Sequence, residues 1–483
     1  MPIGHILSCG AYLPRLRLPR ERIAAAMQWL GAVSPAAAAG ERAICNWDED
    51  ALTLAAQAAR SCLLNAGDYT RVASSVGSLS LASTTLPFAD RSNSTLLATA
   101  LDLPTDIQTA DRTGSLRAGT GALLDAARQA ERAPRLVVAA DARLAKPGSA
   151  QELDFGAGAA AMLVANEAAG SEPIATILSA AHLAADFVDH YRMHGELFDY
   201  SLEERWIRDE ASSKQLPVAI ARALESAGLG VSQIDHVVMA GSAATAKRVA
   251  RLTGLDEAKI QDNLREGCGD TGAAHALLLL SAALETATPG QHILAIGFGQ
   301  GVDAFVVKVL RAARPTVTAA LARKKTEPYY NRYLSHSGLL EADFGMRAER
   351  DNRTAHSVAW RKHRQLTAFV GGSCQTCGTV QFPKSRVCVN PQCRATDTQS
   401  DHPLALSSGR VKSFTEDWQA YSPRPPAIYG NVEFEGGGNL LMELTDVDAG
   451  EVGVDMRVGF AFRVKDVDTL RGFKRYFWKA VQV

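Results

Sequence analysis

The sequence predicts a layered α/β fold followed by two small β-rich modules. Through residues 1–310, strand-like apolar runs alternate with Ala-rich segments at helical spacing. Four cysteines then cluster between residues 374 and 393, and short alternating strands separated by Gly turns fill the rest of the chain. These observations predict a layered domain, a metal-binding ribbon and a small barrel.

The α/β pattern is clearest in three apolar stretches and two Ala-rich ones. The stretches "RLVVAADARL" (135–144), "DHVVMAGS" (235–242) and "HILAIGFGQGVDAFVVKVL" (292–310) are predicted strands. Helices are predicted over 118–131 and 272–286, where Ala and Leu recur at helical spacing. Because crossover helices usually join parallel strands, we expect mainly parallel, buried sheets.

The layered region contains a weak internal duplication. Residues 114–164 run as turn, helix, strand, Gly-rich connection and strand, and residues 267–308 repeat that order. We therefore divide the domain into halves of about 1–165 and 166–310. Two copies of one unit would bring two junctions between turn and helix close to a shared centre.

The remaining boundaries follow changes in composition. Residues 311–372 carry Arg, Lys and paired Tyr without a strand pattern, which predicts a linker and helical segment. The cysteine cluster defines a ribbon over 373–400. Alternating strands with Gly turns predict a small β-barrel over 401–483.

Charge and hydropathy exclude several classes of partner. Fifty-one basic residues balance fifty-two acidic ones, so no electrostatic signal for nucleic acid or an anionic membrane is present. No apolar run reaches the roughly 18 residues of a membrane span, and the first residues lack the pattern of a secretion signal. We expect a cytoplasmic protein with no nucleic-acid or membrane partner.

The cysteine quartet is the most specific motif. Cys374 and Cys377 are separated by two residues, and Cys388 and Cys393 by four. Each short loop turns two sulfurs toward one point, and four thiolates form the tetrahedral shell typical of structural zinc. The alternative is four free thiols in a degenerate site. The other four cysteines are scattered and are expected to be small buried side chains.

Several stretches of the chain resemble the thiolase superfamily, in its branch similar to 3-hydroxy-3-methylglutaryl-CoA synthase. The matching stretches are "GAYLPRLRLPRERIA" (10–24), "NWDEDALTLAAQAAR" (46–60), "GSLRAGT" (114–120), "DFGAGAAAMLV" (154–164), "GDTGAAHALLLLSAAL" (269–284) and "PGQHILAIGFGQGVDAFVV" (289–307). Residues 329–483 resemble the zinc-ribbon and OB-fold proteins that accompany thiolases and bind acyl-CoA. The resemblance implies a thiolase-like layered fold, coenzyme A as the substrate carrier and a homodimer formed through the thiolase-like domain.

The departures from that resemblance concern the catalytic machinery. The acylated cysteine of the synthase is expected at the position of Leu116, and leucine cannot form an acyl thioester. The expected glutamate base is missing from "VGSLSLAS" (76–83), and the expected histidine from "MAGSA" (239–243). We therefore expect that the synthase reaction itself is not carried out.

Four residues near the predicted junctions remain candidates for chemistry, each with a structural alternative. The resemblance aligns Asp270 with an Asn that helps form an oxyanion site, although Asp270 also suits a helix N-cap. His275 is either a proton carrier or a core histidine. Cys268 is a possible thiol nucleophile near a helix N-terminus, and Ser115 is either an acylated serine or a helix cap.

The segment "DFVDHYRMHGELFDYSLEERWIRDE" (186–210) is unusually rich in titratable and aromatic side chains. It aligns with the synthase loop that lies over the substrate pocket. The alternative is a solvated helix with ion pairs at i,i+4 spacing, as Glu204 and Arg208 suggest. We expect this segment to contribute to the active site. The expected catalytic residues of the segment are His190, Tyr191 and Tyr200.

Three functions are compatible with the sequence. The first is a carbon–carbon lyase of the aldolase type that cleaves a β-hydroxyacyl-CoA, which needs a base and oxyanion donors but no cysteine. The second is a thiolase or acyltransferase that uses Cys268 or Ser115 as a displaced nucleophile on a β-ketoacyl-CoA. The third is a non-catalytic acyl-CoA-binding scaffold. The titratable groups of 186–210 favour an enzyme.

Overall fold

The computed structural model describes residues 2–31, 37–129, 133–166, 172–344 and 355–483, and they form two compact units. The first unit comprises the described parts of residues 1–45, 50–98 and 103–333, and the second those of 46–49, 99–102 and 334–483. Two predicted segments are covered only in part: residues 130–131 of the helix 118–131 and residues 345–354 of the segment 311–372 lie outside the described residues.

The first unit is built on a nine-stranded sheet. Its strands and those of two smaller sheets are β1 Gly4–Tyr12, β2 Leu16–Pro19, β3 Glu41–Ala43, β4 Ser78–Ala82, β5 Gln108–Arg112, β6 Arg135–Ala142, β7 Ala157–Ala165, β8 Ala175–Ala184, β9 His190–Tyr191, β10 Tyr200–Ser201, β11 His236–Met239, β12 His292–Phe298, β13 Gly301–Val309 and β14 Lys325–Thr326. The large sheet has the order β11-β12-β13-β8-β1-β7-β6-β4-β5. β9 pairs with β10, and β14, β2 and β3 form a third sheet.

The expectation of mainly parallel strands is wrong. Pairs β11-β12, β4-β6 and β4-β5 are parallel, whereas the other five neighbouring pairs of the large sheet are antiparallel. The reason is the length of the connections. Only Gly299 and Gln300 separate β12 from β13, and a link of two residues permits a hairpin but no crossover.

Helices cover the sheet at the positions that the Ala-rich stretches predict. The α-helices of the chain are α1 Arg20–Ala26, α2 Ala51–Ala66, α3 Tyr69–Ser75, α4 Asn93–Ala100, α5 Ala118–Arg128, α6 Ala150–Asp154, α7 Glu204–Trp206, α8 Leu216–Ala227, α9 Ala243–Thr253, α10 Arg265–Cys268, α11 His275–Thr286, α12 Val317–Ala322, α13 Tyr330–His336, α14 His356–Arg361 and α15 His363–Leu366. Within the described ranges, no helix is long and apolar enough to cross a membrane.

Helices α5 and α11 occupy the centre of the first unit. Leu123 and Leu124 of α5 and Leu277 of α11 are fully buried in one hydrophobic cluster. The first turn of α5 approaches the segment before α11 so closely that a Cβ at Gly119 would collide with the carbonyl oxygen of Ala273. The two junctions between turn and helix therefore lie together, as the internal duplication predicts.

The first unit continues beyond the predicted boundary at 310. Helix α12 packs in the same hydrophobic cluster through Val317 and Ala320. Strand β14 then pairs in parallel with β2, with Lys325 opposite Leu16. The first part of the predicted linker is thus an integral part of the layered unit, because its apolar side chains are buried there.

The second unit consists of two sheets. Its strands are β15 Val370–Cys374, β16 Val380–Gln381, β17 Gln399–Pro403, β18 Gly409–Asp417, β19 Ala427–Phe434, β20 Asn439–Glu443, β21 Arg457–Asp468 and β22 Phe473–Gln482. The first three form a sheet in the order β16-β15-β17, which holds the cysteine segment. The other five are ordered β20-β19-β18-β21-β22, with an aromatic core that includes Phe434 and Phe460.

The second unit also buries a network of charges. Arg463 of β21 forms ion pairs with Glu49 (3.1 Å) and Asp446 (3.0 Å). Lys479 of β22 pairs with Asp48 at 3.0 Å. The side chains of Asp48 and Glu49 are fully buried, and burial raises the pKa of Glu49 to about 7. Asp446 and Asp48 raise the pKa further, while Arg463 and the Asn46 N–H oppose the rise.

Replacing Glu49 with Gln should therefore flatten the pH dependence of stability in this unit. The folded protein keeps the Glu49 proton at pH values where the unfolded chain has lost it, so its stability falls as the pH rises from about 4.5 to about 7. Glutamine does not titrate. Chemical denaturation measures the free energy of unfolding at pH 5 and at pH 8. The difference between these two free energies should be smaller for Glu49→Gln than for wild type, by about 1–3 kcal/mol. The control Glu435→Gln changes an exposed residue and should keep the pH dependence of wild type. An equal pH dependence of the unfolding free energy in Glu49→Gln and wild type would contradict this prediction.

Candidate active site

A cavity of about 190 Å³ opens at the head of α5 in the first unit. It contains three of the residues predicted to act in catalysis, namely Ser115, His190 and Tyr191, together with the Leu116 position. Its full lining is Thr84, Thr113, Gly114, Ser115, Leu116, His190, Tyr191, Arg192, Asp199, Gly299 and Gln300. The other four predicted residues, Tyr200, Asp270, His275 and Cys268, are not part of this lining.

The Leu116 turn connects β5 to α5 and forms one wall of the cavity. The Ser115 hydroxyl donates to the Gly299 carbonyl oxygen at 2.6 Å and accepts the Arg117 N–H at 3.2 Å. It therefore holds the turn against the β12–β13 hairpin and satisfies one amide at the helix start. Backbone amides at a helix N-terminus carry partial positive charge, which suits an anionic oxygen.

Arg117 and Asp303 anchor this turn to the second half of the unit. The carboxylate of Asp303, on β13, is fully buried and accepts from Arg117 Nη1 (3.2 Å) and from the Thr120 hydroxyl (2.8 Å). His182 Nδ1 lies 2.7 Å from the same carboxylate. Ionic and hydrogen-bonding contacts with Asp303 thus hold the head of α5, although Asp303 is distant from α5 in the sequence.

His190 lines the same cavity as the turn and is paired with a buried acid. Its Nδ1 is 2.8 Å from Asp189 Oδ2, and the Asp189 side chain is almost buried. When Nδ1 carries the proton and donates it to the carboxylate, the lone pair of Nε2 is free. His190 is among the residues predicted from the sequence, whereas Asp189, its neighbour in the chain, is not among the predicted site residues.

A second buried carboxylate holds the β9–β10 hairpin in place. Asp199 is 2.8 Å from Arg192 Nη1 and 2.6 Å from Arg143 Nη2. Arg192 also donates to the Thr84 carbonyl oxygen, and Arg143 lies over the Phe155 ring at 3.7 Å. The hairpin that carries His190 is therefore clamped to the sheet by two guanidinium groups that share one acid.

Asp141 holds Thr84 in the cavity wall by hydrogen bonds. The sequence did not predict a role for Asp141. The buried Asp141 carboxylate accepts the Thr84 N–H at 2.7 Å and the Thr84 hydroxyl at 3.0 Å. It also accepts the Ala273 N–H at 2.7 Å. A carboxylate with this many donors is a structural hub that ties the two halves of the unit at the cavity.

Tyr191 and Tyr200 face each other across the hairpin. They are register partners of β9 and β10, and their ring centroids are 5.5 Å apart. Both side chains are largely exposed. Tyr191 reaches the cavity wall, whereas Tyr200 contacts the site through Tyr191.

Asp270 and His275 form a separate buried cluster beside α11. Burial alone raises the pKa of Asp270, but the charges of His275, Arg265 and Arg143 outweigh it and lower the pKa to about 2. Asp270 also accepts the Gly272 N–H at 2.9 Å. His275 is fully buried, and burial lowers its pKa. The Asp270 carboxylate therefore stabilises the turn before α11 by accepting a backbone N–H.

Cys268 does not have the environment expected of a nucleophile. It is the last residue of α10, not the first of a helix, so the helix dipole there disfavours a thiolate. The side chain is fully buried, and its Sγ donates to the Leu264 carbonyl oxygen at 3.2 Å. Burial raises the pKa of the thiol to about 12 although Arg17 acts in the opposite direction.

The C-terminal part of the segment 186–210 is helical. After α7, a π-helix covers Ile207–Gln215 and leads into α8. Its ion pairs join Asp209 to Arg205 (3.7 Å) and to Arg208 (3.0 Å) on the surface. The solvated-helix interpretation thus fits residues from 204 onward, whereas the hairpin before them reaches the cavity.

The four clustered cysteines of the second unit converge on one point. Their sulfur atoms all lie within 4.8 Å of one another, with Cys374 and Cys393 at 3.9 Å and Cys377 and Cys388 at 3.6 Å. Four thiolates around zinc at about 2.3 Å are about 3.8 Å apart in a tetrahedron. The quartet fits a structural zinc ion with all four positions supplied by the protein, as the sequence predicts.

Three family descriptions match the sequence. Residues 224–309 match the C-terminal domain of 3-oxoacyl-[acyl-carrier-protein] synthase III. Residues 363–399 match the rubredoxin-like zinc ribbon of ChsH2, and residues 403–463 match its C-terminal OB-fold. The predicted zinc ribbon and OB-fold are confirmed.

Curated relatives resemble most of the chain. The hydroxymethylglutaryl-CoA synthase of Thermococcus gammatolerans is 30% identical over 339 residues, covering 67% of this chain and 93% of that protein. The hydroxymethylglutaryl-CoA synthase of Archaeoglobus fulgidus is 27% identical over 350 residues, covering 70% of this chain and 99% of that protein.

Solved structures share the fold at lower identity. The 3-oxoacyl-(acyl carrier protein) synthase III of Pseudomonas aeruginosa is 20% identical, with a TM-score of 0.56, 65% of this chain and 99% of that chain covered. MvaS in complex with 3-hydroxy-3-methylglutaryl coenzyme A is 20% identical, with a TM-score of 0.59, 70% of this chain and 93% of that chain covered. The predicted thiolase-like layered fold is confirmed. The chain belongs to the hydroxymethylglutaryl-CoA synthase family and carries ChsH2-type zinc-ribbon and OB-fold domains at its C-terminal end.

Proposed function

We propose that this protein cleaves the carbon–carbon bond of a β-hydroxyacyl-CoA in a retro-aldol reaction without an acyl-enzyme intermediate. The observation that carries the proposal is the composition of the cavity. A histidine paired with a carboxylate lines the same cavity as a turn that carries Leu116 at the nucleophile position. Retro-aldol chemistry needs a base and an oxyanion site, and no covalent nucleophile.

In this mechanism His190 is the base. Its Nε2 takes the proton of the substrate β-hydroxyl, and the oxygen forms a carbonyl as the Cα–Cβ bond breaks. Asp189 is the positioning residue, because its carboxylate accepts Nδ1–H and stabilises the imidazolium that forms. The first product is the aldehyde or ketone that contains the former β-carbon.

The electron pair of the broken bond passes to Cα and gives the thioester enolate. We assign the stabilisation of its oxygen to the turn at the head of α5, because a helix N-terminus carries partial positive charge. The enolate then takes a proton on Cα from His190, which returns to its neutral form and releases the shortened acyl-CoA. The proton balance closes with no added reactant.

Intact-protein mass spectrometry tests this proposal. After incubation with acetyl-CoA, β-ketoacyl-CoAs and β-hydroxyacyl-CoAs, we expect the unmodified mass together with a released carbonyl product and a shortened acyl-CoA. No cysteine of the described ranges lines the cavity, and Cys268 is buried as a thiol. An acyl adduct that is formed and discharged during turnover would contradict the proposal.

An acyltransferase that uses Ser115 is the second candidate function. The observation that favours it is that Ser115 and the His190–Asp189 pair line or border the same cavity, as in a serine–histidine–acid arrangement. Its hydroxyl donates to the Gly299 carbonyl oxygen and would have to turn away from it to react. An acyl group mapped to Ser115 by peptide mass spectrometry would support this alternative.

We further propose that the chain acts as a homodimer through the first unit and that coenzyme A carries its substrate. The family supports both statements, and strand β5 supports the first, because it is an edge strand of the nine-stranded sheet and half exposed. Such an edge offers unpaired backbone groups to a second copy.

A further inference from the structure

The β9–β10 hairpin exposes a set of large apolar side chains beside the cavity. We call Tyr191, Met193, Leu197 and Tyr200 the apolar shelf. Their exposed fractions are 47%, 68%, 57% and 62%, within ten residues of the chain. Exposed apolar side chains that occur together commonly mark a binding surface, whereas isolated ones do not.

The orientation of the hairpin is the reverse of the usual one. Arg192 and Asp199, the neighbours of the two tyrosines, are turned toward the body of the unit, and the Asp199 side chain is only 4% exposed. Tyr191 and Tyr200 are turned outward as a cross-strand pair. Since an ordinary surface hairpin turns its polar side chains to water and its apolar ones inward, this arrangement holds the aromatic rings out at a structural cost.

The shelf is continuous with the cavity, because Tyr191 belongs to both. The cavity holds about 190 Å³, whereas sites that enclose a whole small ligand usually hold about 300–1,000 Å³. The cavity therefore accommodates the reacting carbons, and the remainder of an acyl group attached to the β-carbon has to lie outside it.

The charges of the site disfavour an acidic acyl group. Arg192 is the guanidinium of the cavity wall, and it is engaged with Asp199 and with the Thr84 carbonyl oxygen. A substrate carboxylate at this place would compete with Asp199 and lie close to it. Aromatic rings, by contrast, stack favourably on a tyrosine pair and gain from burial of apolar surface.

We propose that the apolar shelf binds the acyl part of the substrate, and that this substrate carries a bulky, ring-containing apolar group on its β-carbon. This inference rests on the proposed retro-aldol function and narrows it to one substrate class. The ring stacks on Tyr191 and Tyr200, and Met193 and Leu197 extend the apolar contact.

Two substrates that share their reacting carbons test the shelf. 3-Hydroxy-3-phenylpropionyl-CoA gives benzaldehyde and acetyl-CoA, and 3-hydroxybutyryl-CoA gives acetaldehyde and acetyl-CoA. We expect kcat/KM to be at least tenfold higher for the phenyl substrate. The double variant Met193→Ser/Leu197→Ser should lower this ratio at least fivefold, chiefly by raising KM for the phenyl substrate. Leu252→Ser, which changes an exposed apolar residue of α9, is the control.

Direct binding separates failure of the shelf from failure of the proposed reaction. If neither substrate is cleaved, the retro-aldol proposal fails, and the dissociation constants of both acyl-CoAs still test the shelf. The shelf is supported if wild type binds the phenyl compound more tightly and the double variant loses this preference. Equal dissociation constants for the two acyl-CoAs in wild type overturn the proposal. If the double variant loses as much affinity for free coenzyme A as for the phenyl compound, the surface binds the nucleotide and the proposal is overturned. The proposal is also overturned if light scattering shows that the double variant changes from dimer to monomer while the kcat/KM ratio of the two substrates is unchanged.

Discussion

Replacing His190 with Gln is expected to lower kcat/KM for a β-hydroxyacyl-CoA by about 10³-fold, or roughly 4 kcal/mol of transition-state stabilisation. Glutamine occupies a similar volume and places an amide near Nε2, but it cannot accept and return a proton. Steady-state assays of acyl-CoA and carbonyl release measure the loss. Asp189→Asn should also reduce turnover, because an amide that donates to Nδ1 selects the wrong tautomer of the imidazole.

The matched control for this prediction is His194→Gln in the same hairpin. His194 is exposed and does not line the cavity, so its replacement should keep the wild-type rate. The thermal transition of His194→Gln should match that of wild type because His194 is exposed, and rates of His190→Gln are compared at a temperature where the variant is folded. Wild-type rates for His190→Gln would remove this residue from the mechanism and leave the retro-aldol proposal without its base.

Removing the zinc ion should have the largest effect on stability. Zinc binding to four ligands contributes about 10–16 kcal/mol in zinc-binding peptides, because binding orders ligands that have no preformed site without the metal. Chelation, or the double variant Cys374→Ser/Cys388→Ser, should reduce bound zinc from about one ion per chain to nearly none. We expect residues near the quartet to lose protection from hydrogen exchange at the same time.

A cysteine outside the quartet provides the control for the zinc measurement. Cys45 is half buried in the first unit, and Cys45→Ser should retain the full zinc content measured by elemental analysis. Full zinc occupancy in the Cys374→Ser/Cys388→Ser variant, or unchanged hydrogen exchange after chelation, would show that the quartet does not hold a structural ion.

Part of the site could be predicted because the relevant information is local. The spacing of the four cysteines limits them to one small volume, so the structure needed only to close two short loops. The density of titratable residues in 186–210 singled out His190, which does line the cavity. The pairing of Asp189 with His190 could also have been predicted, because an acidic residue next to a histidine in the chain can accept its ring N–H.

Other parts depended on burial and on distant partners. The sequence predicts Cys268 as a candidate nucleophile because a helix is expected to start shortly after it, but Cys268 is the last residue of α10 and is buried in the surrounding core. The sequence distributed candidate residues over two regions, and the fold separates them, so that Asp270 and His275 lie outside the cavity lining. Asp141 and Asp303 had no signal, because their function is to join strands distant in sequence.

By itself, the sequence determined the layered α/β domain, the zinc ribbon and the barrel, because periodicity and cysteine spacing are properties of short segments. Only the tertiary structure decided which strands run antiparallel, which polar groups meet at the head of α5, and that the hairpin turns its tyrosines outward. The physical reason is that pKa, exposure and hydrogen bonding depend on atoms brought together from distant parts of the chain.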